Sequence, residues 1–171
     1  KNSMNGYLCS RILKENDMLF NILVIEEEQI LPNEYTIGKI LLNANDVSAK
    51  SNIMEYSPLP DFFLAVGSGT INDSVRFVSY RLGLPYGVVA TAPSMDGYVS
   101  AGSPIVHDGT KTTVQGTTPK YLIADLDILK DAPYRMMLAG IGDMFGKYTG
   151  ILDWELARDY TGEYYCEKIA E

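Results

Sequence analysis

Asp61-Phe-Phe-Leu-Ala-Val-Gly-Ser-Gly-Thr-Ile-Asn-Asp73 is the stretch on which the fold turns. The run 61–66, apolar without a break from Phe62 onward, has the pattern of a strand buried on both faces of a sheet. Gly67-Ser-Gly69 then turns the chain. Ile71, Val75, Val78 and Leu82 follow at i, i+4, i+7 and i+11, which predicts a helix with one face against the sheet. Gly83 stands where a helix C-terminal cap belongs. Gly87-Val-Val-Ala-Thr91 is a second buried-strand candidate. Strand, glycine turn, helix and strand in this order predict α/β layering.

Towards the N-terminus, Asn21-Ile-Leu-Val-Ile25 predicts a further strand. Pro32 opens a helix through Leu42, with Ile37, Ile40 and Leu41 at helical spacing. Towards the C-terminus, Ile105-Val-His107 and Thr110-Lys-Thr-Thr-Val114 flank Asp108-Gly109, a favoured two-residue hairpin turn. Tyr121-Leu-Ile-Ala124 reads as a strand ending at Asp125. Asp131 is placed to cap a helix with Pro133 in its first turn. From Met136 to about Tyr160 the pattern is helical. A domain boundary near Lys130 follows, dividing an α/β unit (1–130) from a helical one (131–171). Roughly forty helical residues are too few to bury a core alone. No internal repeat or low-complexity tract is present.

With 46% hydrophobic and 21% charged residues, the chain has the composition of a folded domain rather than a disordered one. A net charge of −8 argues against general binding to nucleic acid or anionic membrane, and leaves any anionic substrate to local donors. No apolar run approaches the ~20 residues of a membrane span, and no signal peptide is visible. Cys9 and Cys166 form no metal-like spacing, so free thiols in a reducing cytoplasm are expected. The chain opens at Lys1 without an initiator Met and is read as a fragment.

Three runs carry chemistry. A strand entering Gly67-Ser-Gly-Thr70 and then a helix aims backbone N–H groups at a phosphate, and the helix N-terminus favours negative charge. The run is neither GxGxxG nor a P-loop, and alone it suits a plain tight turn, with Asn72 and Asp73 as ordinary helix-start residues. Strand 87–91 ends in Thr91-Ala-Pro-Ser94, so two strands present polar loops at one sheet edge, where ligands bind in open α/β sheets. Asp96 follows as a carboxylate without an evident structural task, although an Asp-Gly turn also accounts for it. Gly140, Gly142, Gly146 and Gly150 interrupt the long helix at roughly 1 kcal/mol each, which suggests a close approach to its backbone. Asp143, Lys147 and Gly150 share one face. Asp143 is a candidate metal or substrate ligand, and an i,i+4 pair with Lys147 is the plainer alternative. His107, the lone histidine, sits beside a turn and reads as a surface residue.

Together GSGTIND (67–73), TAPSMDGY (91–98), AGIGDMFGKYTGILDWELA (139–157) and GEYYC (162–166) make the chain resemble the sn-glycerol-1-phosphate dehydrogenases. That family lies within the dehydroquinate-synthase-like, metal-dependent alcohol dehydrogenases. The resemblance implies a Rossmann-like N-terminal domain with a mostly parallel sheet and a β-hairpin, followed by the start of an all-helical C-terminal domain. It implies reduction of dihydroxyacetone phosphate to sn-glycerol 1-phosphate, for polar lipid backbones, with NAD(H) or NADP(H) and one divalent metal, Zn2+ or Ni2+. Gly67, Ser68, Gly69, Thr70, Ile71, Asn72 and Asp73 would hold the cofactor pyrophosphate. Thr91, Ala92, Pro93, Ser94 and Ser100 would continue the cofactor site. Asp96 would touch substrate, and Asp143 would bind both metal and substrate as the catalytic centre. Lys111 and Lys147 are the candidate phosphate donors. The resemblance further implies a cytoplasmic homodimer or higher homo-oligomer. Two metal-binding histidines would lie beyond Glu171 and the ribose-binding acid before Lys1, so the chain alone is expected to bind cofactor poorly and not to turn over. A dehydrogenase of glycerol or another small polyol, and a degenerate nucleotide-binding module, are the alternatives.

Overall fold

Strands need partners, and the computed structural model shows which apolar runs find them; it describes residues 2–27, 29–44 and 59–171. In chain order the elements are α1 (Asn2–Glu15), α2 (Glu34–Ala44), β1 (Phe63–Gly67), α3 (Gly69–Leu82), β2 (Tyr86–Ala90) and a 3-10 turn (Gly97–Val99). Then come β3 (Gly102–His107), β4 (Thr110–Gln115), β5 (Tyr121–Ile123), α4 (Leu126–Leu129), α5 (Tyr134–Thr161) and α6 (Glu167–Ala170). β1, β2 and β5 form a parallel sheet in that order, with Ala65 opposite Val88 and Val88 opposite Leu122. β3 and β4 form a separate antiparallel hairpin.

β2 is central and buried at every residue. β1 is not: Ala65 and Gly67 are buried while Leu64 is exposed. The expected two-sided burial therefore holds for the central strand and fails at β1: α3 packs against β1 and β2 and α2 packs on α3, while Leu64 stays exposed. Ile37 and Ile40 from α2, Val75 and Val78 from α3, and Tyr86, Val88 and Ala90 from β2 form the core. Fully buried valines such as Val78 and Val88 each contribute about 1.5–3 kcal/mol. α3 ends as predicted, with Gly83 at φ 67° donating its N–H to the carbonyls of Ser79 and Tyr80. Asp108 and Gly109 both have positive φ, 47° and 73°, the mark of a type I′ hairpin turn.

Three local expectations are corrected, and one short helix is added to them. Residues 21–25 form no strand: Ile22 and Val24 are more than half exposed, and no described strand pairs with the outer edge of β1. A strand's hydrogen bonds lie outside the strand, so an apolar run without a neighbour stays irregular. α2 begins at Glu34 rather than Pro32, because the Pro32 carbonyl accepts from Val106 N–H (2.9 Å) on the hairpin. The Asn33 side chain caps the helix instead, accepting from Thr36 N–H at 3.1 Å. The residue at the start of α5 is Pro133, not Asp131. The short α4 was not anticipated; Asp125 caps it by accepting from Asp127 N–H at 2.8 Å.

α5 runs 28 residues as one helix, and Gly162 at φ 72° closes it. The chain then folds back, so that Trp154 Nε1 donates to the Tyr164 carbonyl at 2.8 Å and the Trp154 and Tyr165 rings lie 4.7 Å apart. No described helix is long and apolar enough to cross a membrane.

Candidate active site

The ends of β1 and β2 are held together by Thr91 N–H donating to the Gly67 carbonyl at 3.1 Å. Ser68 then stands extended at the start of α3 without a side-chain cap, leaving first-turn N–H groups available to a ligand. The backbone is crowded on both sides of it, against the rigid Cβ of Ile71 at Gly67 and against the flexible Met95 side chain at Gly69. A Cβ on Gly67 would lie 2.8 Å from Ile71 Cβ, and one on Gly69 2.9 Å from Met95 Sδ. Ser68, Gly69, Thr70 and Asp73 line a cleft of about 370 Å³ together with Ser94 and Met95. Pro104, Val106 and Lys111 of the hairpin, with Leu31 and Pro32, form its opposite wall.

The residues singled out from the sequence divide by position. Ser68, Gly69, Thr70, Asp73, Ser94 and Lys111 border the cleft. Asn72 is fully buried, donating from Nδ2 to the Tyr98 carbonyl (3.1 Å) and accepting from Tyr86 OH (3.2 Å). Thr91 and Ala92 are buried, and the Ala92 carbonyl accepts from Tyr98 OH at 2.5 Å. Ser100 is exposed, its Oγ accepting from Gly102 N–H at 3.0 Å. The turn thus faces the cleft with its serine and glycine, while its asparagine faces inward.

A second cluster joins the loop after β2 to α5. Asp143 Oδ2 accepts from Asp96 N–H at 3.0 Å, and Lys147 Nζ pairs with the Asp96 carboxylate. The Lys147 ammonium holds the Asp96 carboxyl below its ordinary range, and Asp96 in turn raises Lys147. Lys147 is therefore partnered with Asp96, and the plain i,i+4 pair with Asp143 is not what the structure shows. The close approach inferred from the helical glycines is real at Gly140, where a Cβ would meet the Pro93 carbonyl oxygen at 2.0 Å. At Gly142, Gly146 and Gly150 a Cβ would meet open space.

Two features escaped the sequence reading. Arg76 is buried, and its Nη1 donates to Asp73 Oδ1 at 2.7 Å. Its i,i+3 spacing from Asp73 was the available signal. Burial pushes the Asp73 carboxyl up to about 6, against the pull of Arg76 and Lys111. The second is Glu34, whose Oε1 meets His107 Nδ1 at 2.6 Å and Asp108 N–H at 2.9 Å, so the surface histidine clasps the hairpin tip to α2. No local pattern announces that contact across 73 residues.

Residues 27–133 match the iron-containing alcohol dehydrogenase family, and the chain belongs to it. Over 127 residues it is 49% identical to a glycerol-1-phosphate dehydrogenase of Bacillus subtilis, covering 71% of this chain and 32% of that protein. Over 167 residues it is 37% identical to the protein of the same name from Halalkalibacterium halodurans, covering 96% of this chain and 39% of the relative. The chain thus spans between about a third and two fifths of the length of these curated relatives. In fold it is similar to glycerol dehydrogenase from Schizosaccharomyces pombe, with TM-score 0.66 and 22% identity over 86% of this chain and 34% of that one.

The turn, with its uncapped helix start and closely approached glycines, fits a dinucleotide phosphate. A metal is another matter. Asp143 brings a single carboxylate, whereas a catalytic divalent site takes about three protein ligands. Among the described residues, the one trio of potential ligand atoms is Glu34, His107 and Asp108, all exposed and away from Asp143. The described residues alone do not form a complete metal centre around Asp143.

Proposed function

We propose that the complete protein reduces dihydroxyacetone phosphate to sn-glycerol 1-phosphate with NADH or NADPH, together with one divalent metal, Zn2+ or Ni2+. One observation carries the reading: Asp143 and Lys147 of α5 meet Asp96 in the loop after β2, the strand next to the one that ends in the phosphate turn. In this reading the Ser68–Thr70 backbone holds the pyrophosphate, and Gly67, Ile71, Asn72, Asp73 and the 91–94 loop with Ser100 shape the cofactor site. Asp96 orients the substrate hydroxyl. Lys147 and Lys111 supply positive charge for its phosphate. Asp143 is the proposed catalytic centre and one metal ligand, the rest being assigned to residues outside 1–171. The protein's contribution is alignment, which converts a two-body hydride transfer into a positioned one.

The curated relatives' names and the α/β cleft support this reading. The pairing of Lys147 with Asp96 favours the runner-up, an unphosphorylated polyol such as glycerol, because that ammonium already has a counter-charge. A degenerate nucleotide-binding module would keep the cleft and need no metal. We further assign the protein to the cytoplasm and to a homo-oligomer; the apolar face of α5 supports the second of these alone.

The test is NADH oxidation by the protein expressed from its complete reading frame, with zinc or nickel supplied. Consumption with dihydroxyacetone phosphate but not dihydroxyacetone, abolished by a chelator, is the expected result. Consumption with dihydroxyacetone alone would favour the polyol reading, and none with either would sink both enzyme readings. Asp143→Asn is expected to lower bound metal and kcat together by at least about a hundredfold.

A further inference from the structure

Arg76 makes five hydrogen bonds from a position almost without solvent contact. Nη1 donates to Asp73 Oδ1 (2.7 Å) and the Gly102 carbonyl (2.8 Å), Nη2 to the carbonyls of Gly97 (2.7 Å) and Tyr98 (2.9 Å), and Nε to Tyr86 OH (3.2 Å). All five donors of the guanidinium fork are thereby matched, a geometry that lysine cannot reproduce. Its acceptors lie in three places: the first turns of α3, the buried end of β2, and the 97–102 segment that immediately follows Asp96.

We infer that Arg76 is the positioning residue that fixes the substrate-side loop carrying Asp96 against the nucleotide turn carrying Asp73. The inference rests on the dehydrogenase reading above. The remaining contacts hold less: Ser100 bonds locally to Gly97 and Gly102, Tyr98 OH to Ala92, and the single Asn72 Nδ2 bond to the Tyr98 carbonyl is the other side-chain tie to α3. Without the fork, the carbonyls of Gly97 and Gly102 keep only donors from within the loop, the Tyr98 carbonyl keeps only Asn72 Nδ2, and Asp96 loses its fixed distance from the cofactor. Displacement of a reacting group by about 1 Å can cost on the order of a hundredfold in rate.

Arg76 also supplies the counter-charge to Asp73 at the rim of the cleft. Asp73 faces Arg76 on its own helix, Lys111 from β4, Tyr86 from β2 and Tyr98 from the 3-10 turn. An ionised Asp73 opposes a pyrophosphate in the same cleft. Nucleotide affinity is therefore expected to weaken as pH rises through about 6. Removing the guanidinium moves that midpoint upward, because an opposite charge holds a carboxyl down.

The experiment is calorimetric binding of NAD+ between pH 5 and 8, with kcat and KM for dihydroxyacetone phosphate, on the protein from its complete reading frame. Arg76→Met is expected to move the binding midpoint up by one pH unit or more and to lower kcat at least tenfold. Arg76→Lys, which keeps the charge and is the milder change for folding, is expected to hold the midpoint near wild type yet still lower kcat at least fivefold. Asp73→Asn is expected to remove the inflection. An inflection that persists in Asp73→Asn belongs to a different group and overturns the inference, as does wild-type kcat in Arg76→Lys. Wild-type protein that neither binds NAD+ nor reduces the substrate overturns the dehydrogenase reading and this inference with it. Wild-type protein that does both while the variants match it overturns the role of Arg76 alone.

Discussion

At Gly140 the backbone of α5 touches the carbonyl of Pro93, where even one added carbon would overlap the oxygen. Gly146, two turns further along, has open space around its missing Cβ. Both are glycines inside one helix, and helix propensity alone predicts that alanine stabilises each by about 1 kcal/mol. The contact reverses the sign at one of them. Gly140→Ala is expected to lower stability by about 1–3 kcal/mol through overpacking, while Gly146→Ala raises it slightly. Urea unfolding of the two variants checks this, and equal effects would remove the Gly140–Pro93 contact. The glycine spacing was legible in the sequence as a demand for close approach. Which glycine meets that demand was not, because the approaching carbonyl comes from 47 residues away, the same separation that joins Asp96 to Asp143.

Among elements, the hairpin shows how local and distant information separate. Asp108-Gly109 sets its own turn, and the register from Gly102 opposite Gln115 to His107 opposite Thr110 follows from it. Where the hairpin docks is set by Pro32 and Glu34 instead. The Asp108 N–H, with His107, holds the Glu34 carboxyl down at about 2, and Glu34 raises His107 above 6.5. The lowered Glu34 supports docking above its ordinary value and loses it as pH falls through about 2. The raised His107 supports docking below 6.5 and loses it as pH rises through the raised value. The clasp is therefore complete between about 4.5 and 6.5. An NMR titration of His107 is expected to give a midpoint above 6.5 that Glu34→Gln moves downward; an unmoved midpoint would refute the clasp. α3 and β2 were legible for the same reason as the turn, since helical spacing and a continuous apolar run are local patterns. The 21–25 run was misread because the partner a strand needs is not encoded in the strand.

The molecule as a whole leaves apolar surface uncovered. Ile141, Met144, Phe145, Tyr148 and Leu152 of α5 are each more than half exposed, and so are Tyr121 and Ile123 of β5. Contiguous apolar area of this kind marks a surface that meets another surface. A preparation of these 171 residues is expected to bind an apolar-surface dye strongly, and Ile141→Ser with Phe145→Ser to reduce the signal severalfold. Weak dye binding by the unmodified chain would show the face to be covered.

The amino-acid sequence by itself determined the α/β layering, the glycine turn before α3, the hairpin and the long helix, because each is written in spacings of a few residues. It also held the runs by which the family resemblance was read. The tertiary structure alone decided which groups meet: Lys147 with Asp96, Gly140 with Pro93, Glu34 with His107, and Arg76 with the loop at 97–102. Those contacts depend on distances between elements, which are set only when the sheet, helices and hairpin pack around a common core.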